Sequence, residues 1–514
     1  MATLGSHTPK AMVFTDSSLL RFSILSLSIC AAARFCPAAT EAERNIVVPG
    51  HRNQAYIDPV PDADYHHASE AAYDAFRDMK YAVRIHWGIY AVAGMAHESW
   101  PFLGLSNEER QRYNQLYRTW NPQGFDAEQW MQFFDQAGFH GLAFTAKHHE
   151  GFSMFDTKTR VHSRVNWTAP GGPALEDCDL AYSIMETPYH RDIVKEICDA
   201  AHRHGIMIDL YFSHPDWYDA DFRPYGTNPA QVEGSDTLAA LVKRQGRPAT
   251  LFPPVTAEEQ DRMMARHREQ LRELLTNYGR IDMVCLDISL GAKVWPQMKQ
   301  TVKQLRAIQP EVMFRDRGIG NYGDYYTPEQ VVPSDKQPTG MPWMVIYPLG
   351  SGFSYDPVGG NYKGAKWIVD NLVDSVAKGG NFMVGIGPDK DGRFHPSAIA
   401  QIREAGDWIR ANAEAIYGTR ERPGLLWKEG AGVRFTRTKD NRFVYAISLS
   451  RPSGKLLLKT VTARPNSDVV LLGGAGLVPW RQTADGLEIT VPEKAPAALA
   501  YAFKIQAGAG PDGI

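Results

Sequence analysis

The 514-residue chain is poor in cysteine, with only Cys30, Cys36, Cys178, Cys198 and Cys285. Their spacing matches no zinc or redox motif, and the last three are too scattered for a disulfide framework. A dense Lys/Arg cluster is also lacking, and the net charge is only -3. This removes the electrostatic footprint of nucleic-acid binding or of docking on an anionic membrane, and a neutral substrate fits better. No apolar run reaches the length of a spanning helix. No glycine-rich phosphate fingerprint follows a strand-like run, which counts against a Rossmann domain. No fixed-length repeat recurs.

What is there is ample core material: 44% of residues are hydrophobic and 22% charged, enough at this length for two or three domains. The 12 Trp, 22 Tyr and 22 Phe suit a large core. They equally suit stacking on the apolar C–H face of a pyranose. The first forty or so residues differ from the rest. Lys10 and Arg21 precede an apolar, small-residue run from Phe22 to Ala33, followed by Pro37-Ala38-Ala39-Thr40. This pattern predicts a secretory leader over residues 1–44 and a location outside the cytoplasm, secreted or periplasmic. Asn166-Trp167-Thr168 is a glycosylation sequon, meaningful in a eukaryotic source.

From about Ser69 to Tyr417, strand-like and amphipathic helical runs alternate. Strands are expected at Tyr81–Tyr90, His140–Lys147, Ile206–Ser213, Ile281–Asp287, Val312–Arg317 and Asn381–Ile386. Helices are expected at Asp126–Gln136, Tyr189–His204, Ala257–Asn277, Val294–Ile308, Ala365–Ala377 and Pro396–Ala415. Such alternation predicts a parallel sheet, and at this length a closed (β/α)8-like, TIM-type barrel over residues 45–420. Gly226–Pro254 reads as an inserted loop near its mouth. Beyond Arg420–Gly424 come short β-rich runs separated by turn signals, such as Lys439-Asp440-Asn441 and Ala484-Asp485-Gly486. They predict an antiparallel β-sandwich over 421–514.

Barrel active sites gather at the C-terminal ends of strands. Strand one offers His86-Trp87-Gly88, with Glu98 and Trp100 beyond it. Strand two ends in Lys147-His148-His149-Glu150. Strand three ends in Tyr211, with His214, Asp216 and Trp217 just past it. Strand four ends at Asp287, and strand five in Arg315-Asp316-Arg317, with Glu329 in the loop after it. A buried-strand pattern that terminates in a carboxylate fits the mouth of a barrel, where the charge is tolerated. Asp282 begins that strand and reads as structural. His148 and His149 are adjacent, so on a strand they point to opposite faces and suit one metal ion poorly. Hydrogen bonds to sugar hydroxyls are a better use of neutral imidazoles, and neither a metal nor a cofactor is expected. Two carboxylates across a pocket lined by His, Trp, Tyr and Arg are the equipment of glycoside hydrolysis, which needs a nucleophile or base opposite a proton donor.

At these residues the chain resembles the α-L-fucosidases, family 29 of the glycoside hydrolases. The matching runs include His86-Trp87-Gly88, Trp120-Asn121-Pro122, Phe125–Trp130, Thr145–Phe152, Tyr189–Val194, Lys378–Asn381, Ile386–Pro388 and Ala415–Arg420. The resemblance implies a retaining exo-hydrolase acting by double displacement on terminal α-L-fucosides of oligosaccharides or glycoconjugates. It implies Asp287 as nucleophile and Glu329 as acid/base. It implies His86, His148, His149, Glu98, Trp100, Tyr211 and Arg317 around the sugar, and Phe353 where the family has an aromatic flooring the pocket. The chain departs from the family pattern at Leu286-Asp287-Ile288, where Phe-Asp-Gly is usual, in the loop Val92–Trp100, and at Trp343-Met344, where the family has Trp-Glu. Related L-sugars, α-L-galactosides or α-L-glucosides, therefore stay open, with the C5-substituent pocket deciding between L-fucose and L-galactose. A binding protein without catalysis is the competing class; the presence of both Asp287 and Glu329 argues against it. Oligomeric state is left open.

Overall fold

The computed structural model describes residues 54–226, 228–231, 252–333, 341–474, 476–493 and 497–508; the expected leader and most of the expected loop Gly226–Pro254 lie outside these. Seven strands make one parallel sheet: β1 (Tyr81–Ile85), β2 (Gly141–Lys147), β3 (Met207–Ser213), β4 (Met283–Asp287), β5 (Met313–Phe314), β6 (Met344–Pro348) and β7 (Asn381–Ile386). Their order is β5-β4-β3-β2-β1-β7-β6, a curled, TIM-like half-barrel. Six helices intervene between strands or follow them: α1 (Ala127–Gln136), α2 (Ile193–His204), α3 (Ala257–Thr276), α4 (Trp295–Ile308), α5 (Ala365–Ala377) and α6 (Pro396–Ala411). They start where the sequence supplies caps. Asp126 accepts the Gln129 N–H, Asp192 the Lys195 N–H, and Thr256 with Glu259 forms a capping box on α3.

The expected TIM-type parallel sheet is present, with seven regular strands and no regular eighth among the described residues. The gap between β5 and β6 is spanned instead by residues 324–330, through parallel bridges Arg315–Tyr325, Tyr326–Trp343 and Glu329–Ile346. Asp316 N–H donates to Tyr325 O (3.0 Å) on one side, and Met344 N–H to Tyr326 O (3.1 Å) on the other. Pro328 has no N–H to give, so a continuous ladder cannot form there. Other boundaries also move. The first strand stops at Ile85 because Ile89–Val92 coils into a short helix. The strand expected at Val312–Arg317 keeps regular pairing only at Met313–Phe314. β6 was hidden in the sequence by the flanking Pro342 and Pro348, and the hairpin Val161–Asn166/Ala174–Leu180 by its polar composition.

Successive strand residues alternate between faces, so the inward positions step by two. From the bottom upward they read Ala82, Arg84, His86 on β1 and beyond; Met207, Asp209, Tyr211 on β3; Met283, Cys285, Asp287 on β4; and Met313, Arg315, Arg317 from β5. The lowest layer is apolar: Met79, Ala82, Ala143, Met283, Met313, Met344 and Met383 pack as one cluster. Unbranched methionines fill an irregular interior well. Gly141 leaves room for this packing, since a Cβ there would meet Met79 Sδ at 2.3 Å. The outward positions of the strands pack on the helices in the main core.

From Thr419 the chain is antiparallel. One sheet runs Thr419–Glu421, Val433–Thr438, Phe443–Ser448, Tyr501–Gln506, Val469–Leu471, Gly476–Leu477, and a second Lys455–Leu458, Gly486–Thr490, Trp480–Thr483. Phe435, Leu458, Leu487, Ile489 and Phe503 lie at the centre of a separate core for this part.

Candidate active site

Asp287 closes β4 and its side chain is buried, only 10% exposed. The Tyr211 hydroxyl donates to Oδ2 at 2.8 Å and Arg317 Nη1 to Oδ1 at 2.7 Å. Arg315 Nη1 stands 3.7 Å from Oδ1 and His149 Nε2 3.7 Å from Oδ2. Burial opposes ionisation of this carboxyl. Arg315, with His149, the Tyr211 hydroxyl and Arg84, outweighs it and holds Asp287 well below the usual carboxylate range. The group is therefore an unprotonated carboxylate, as a nucleophile must be.

Glu329 lies on the segment that spans the β5–β6 gap, which is what brings it to the same mouth. Its Oε2 accepts from Arg317 Nη2 at 2.7 Å, so one guanidinium fork holds both carboxylates. Burial pushes Glu329 above its ordinary value, against Arg315 and aided by the Asp287 charge. The two carboxyls are thus driven apart in acidity, one ionised and one inclined to keep a proton.

The three imidazoles named from the sequence also converge. Ring centroids of His86 and His148 are 5.3 Å apart, those of His148 and His149 4.4 Å, and His86 and Tyr211 4.8 Å. Burial lowers all three, His148 to about 3, so they are neutral at ordinary pH. Neither ring nitrogen of His149 has a hydrogen-bond partner among the described residues. Trp100 packs on His149 at 4.6 Å and on Trp217 at 5.7 Å. Phe353 closes the His86 side at 5.7 Å. Glu98 has a left-handed backbone (φ 51°), and its N–H is held by Ser354 Oγ at 3.1 Å. Burial raises its carboxyl to about 8, making it a neutral acid, and Oε1 has no partner among the described residues.

His86 differs in one respect from the hydroxyl-binding role its position implies. Arg84 Nε donates to its Nε2 at 2.7 Å. Thr145 Oγ1 donates to Ile85 O (3.1 Å) and so accepts from His86 Nδ1 at 2.9 Å. Both ring nitrogens are engaged, and the tautomer is fixed with its proton on Nδ1. His148 Nδ1 pairs with Ser99 Oγ at 2.5 Å. Asp282 accepts the Ile208 N–H (2.9 Å) at the far end of the barrel, the structural role expected for it.

Sequence reasoning missed Arg84, Thr145 and Ser99. Arg84 carried a signal: a lone charge two residues before His86 in the otherwise apolar Tyr81–Ile85. Among the described residues no group of three or more His, Cys, Asp or Glu is arranged to hold a metal ion, and no helix is long and apolar enough to cross a membrane.

Comparison with known proteins gives the same family throughout. The α-L-fucosidase family profile matches residues 53–414, and the profile of the α-L-fucosidase C-terminal domain residues 429–506. The chain is 26% identical to human tissue α-L-fucosidase, covering 83% of this chain and 87% of that one. To the Dictyostelium discoideum α-L-fucosidase it is 24% identical, over 82% and 89% of the two chains. Among solved structures, α-L-fucosidase isoenzyme 1 from Paenibacillus thiaminolyticus superposes with a TM-score of 0.70 at 25% identity, covering 86% of this chain and 99% of its own. A family 29 α-L-fucosidase from Bacteroides thetaiotaomicron, solved as a trapped covalent intermediate with 2-fluoro-fucosyl fluoride, shares the fold. Its TM-score is 0.69 at 22% identity, over 88% of this chain and 99% of that one. The chain belongs to the α-L-fucosidase family and is a glycoside hydrolase of that type.

Proposed function

We propose that this chain removes terminal α-L-fucosyl groups from glycans or glycoconjugates with retention of anomeric configuration. The observation that carries the reading is the Arg317 fork, with Asp287 on one nitrogen and Glu329 on the other. In the first step an Asp287 oxygen attacks the anomeric carbon. The glycosidic C–O bond breaks, and Glu329 passes its proton to the departing oxygen. In the second step Glu329, now a carboxylate, takes a proton from water as that water attacks the same carbon. The Asp287 ester bond breaks and the sugar leaves with its original configuration. Tyr211 and Arg317 hold Asp287 in line. His148, His149 and Glu98 supply neutral donors and acceptors for the ring hydroxyls, and Trp100 an apolar face. The covalent intermediate of the Bacteroides relative supports the two-step course.

The barrel core and the separate core of the antiparallel sheets support a division near residue 420 into a catalytic and a β-sandwich part. The Phe22–Ala33 run supports export. The mechanism is tested by incubation with 2-fluoro-fucosyl fluoride and mass spectrometry. One fluorofucosyl group should add to the wild type, on the peptide containing Asp287, and none to Asp287→Ala. No adduct, or one on another residue, sinks the assignment.

A further inference from the structure

The side chains directly beneath the two carboxylates are cationic; they help keep Asp287 ionised, but the double displacement gives their remaining donors no partner. Arg84 and Arg315 occupy the inward positions one step below His86 and Arg317, and are 3% and 0% exposed. Arg315 Nη1 lies 3.0 Å from Cys285 Sγ and 3.7 Å from Asp287 Oδ1. Its Nε and Nη2 have no hydrogen-bond partner among the described residues. Arg84 is anchored by its Nε on His86. Its guanidinium then lies over the faces of Tyr211 (4.7 Å) and Phe353 (5.6 Å) and reaches toward Cys285 Sγ (3.7 Å). The carboxylate at this level, Asp209, accepts from the Tyr325 hydroxyl at 3.3 Å and leaves Oδ1 without a partner.

Buried cationic donors without acceptors are costly, and a ligand oxygen that reaches them removes the cost. A sugar with C1 against Asp287 places two substituents at the radius of Arg315: the hydroxyl on C2, and the C5 substituent, joined to C1 through the ring oxygen. L-Fucose and L-galactose share the C2, C3 and C4 hydroxyls and differ only at C6, a methyl in one and a hydroxymethyl in the other. His148, His149 and Glu98 remain for the shared hydroxyls. A methyl set against Arg84 between the Tyr211 and Phe353 rings would offer the guanidinium no acceptor beyond His86 and the weak Cys285 Sγ; an oxygen on C6 would accept from it.

We propose that Arg84 and Arg315 are specificity-determining residues of the glycon pocket, selecting α-L-glycosides that carry oxygen on C6, with α-L-galactosides as the neutral case. This rests on the double displacement at Asp287 proposed above and makes α-L-fucosides the slower of its substrates. It is tested with the 4-nitrophenyl α-L-fucoside, α-L-galactoside and α-L-galacturonide, the last separating a carboxylate from a hydroxyl as the preferred oxygen. For the wild type, kcat/KM on the faster C6-oxygenated substrate should exceed that on the fucoside. Arg84→Met should move this ratio about tenfold or more toward the fucoside, chiefly through KM, because a site built to hydrogen-bond an oxygen discriminates against its loss. Arg84→Lys, which keeps the charge, should move it less. Calorimetric binding of free L-galactose and L-fucose to the wild type tests the same order without a variant, and L-galactose should bind more tightly. A wild type that prefers the fucoside, tighter binding of L-fucose, or a folded Arg84→Met with an unmoved ratio overturns the proposal and leaves the proposed function standing. No turnover of any of the three substrates overturns both.

Discussion

Arg317 Nη2 and Glu329 Oε2 are 2.7 Å apart, a charge-assisted contact between the residue just past β5 and the segment that spans the gap to β6. The contact fixes Glu329, the proposed acid/base, but also draws on the lone pairs of a group that in that role must carry a proton. Burial and the neighbouring Asp287 tip the balance toward the protonated form. A substrate that displaces Arg317 from Glu329 would tip it further.

The first expected outcome follows from that placement. Glu329→Ala should nearly abolish cleavage of substrates with poor leaving groups, and spare those with an activated aryl leaving group, which need no proton in the first step. Comparison of kcat/KM across a series of aryl leaving groups checks it. Equal losses on both kinds would move the acid to another residue, Glu98 being next.

Asp287→Ala should leave a folded protein with activity down by several orders of magnitude, since the covalent step is lost. Azide or formate should restore part of it by entering the space of the carboxylate. The variant should also melt earlier, because the buried Arg315 and Arg317 lose a partner, so retention of the fold is checked by circular dichroism before activity is read. Near-normal turnover without added nucleophile would refute the nucleophile assignment.

The layer proposed to be catalytic was legible in the sequence because its residues stand at or near the ends of apolar strands: Asp287 after Met283–Leu286, His86 after Ile85, and Tyr211 two residues before the end of β3. Of the layer below, Arg315 stood among the strand-end residues, but Arg84 did not, because it sits inside the strand pattern, where a charge reads as a flaw in periodicity. Its meaning depends on which residues face it, and that follows from sheet order, which brings Arg84 on β1 near Cys285 on β4 across the interior. β6 was illegible for a local reason, its two prolines. The role of residues 324–330 was illegible for a global one, since an irregular segment is recognisable as part of the barrel only from the strands on either side. The leader remains a sequence expectation.

A third outcome concerns pH. Burial raises the Glu98 carboxyl to about 8, so the folded state binds a proton that the unfolded chain has already released. Where the native state holds more protons, stability falls as pH rises, here between the ordinary carboxylate range and about pH 8. Glu98→Gln keeps the shape and a neutral side chain. Its melting temperature should therefore fall less than that of the wild type between pH 5 and 8, and the two should be closest at the acid end. Parallel curves in thermal unfolding across that range would show that Glu98 is not held neutral.

The last outcome concerns the backbone beside the nucleophile. Ile288 follows Asp287 with φ 63°, in the left-handed region, where a β-branched residue is a steric outlier. Its carbonyl is packed against Gly318, itself at φ 75°, where a Cβ would meet Ile288 O at 2.5 Å. The turn after β4 is thus clamped against the turn after Arg317, and the two residues that hold the Asp287–Arg317 pair share one rigid junction. Strain at such a position costs roughly 1–3 kcal/mol. Ile288→Gly relieves it, but glycine loses more chain entropy on folding, roughly 0.5–1 kcal/mol. It also gives up a half-buried side chain, so the terms nearly offset and the melting temperature should move by only a few degrees. The freedom gained should show in the chemistry instead. With the carboxylate less firmly aimed, kcat should fall about tenfold on an activated aryl substrate, where Glu329 plays no part in the first step. A variant with unchanged kcat would mean that Asp287 is aimed by Tyr211 and Arg317 alone. A Gly318→Ala variant, which forces the same junction apart, should lower both stability and kcat.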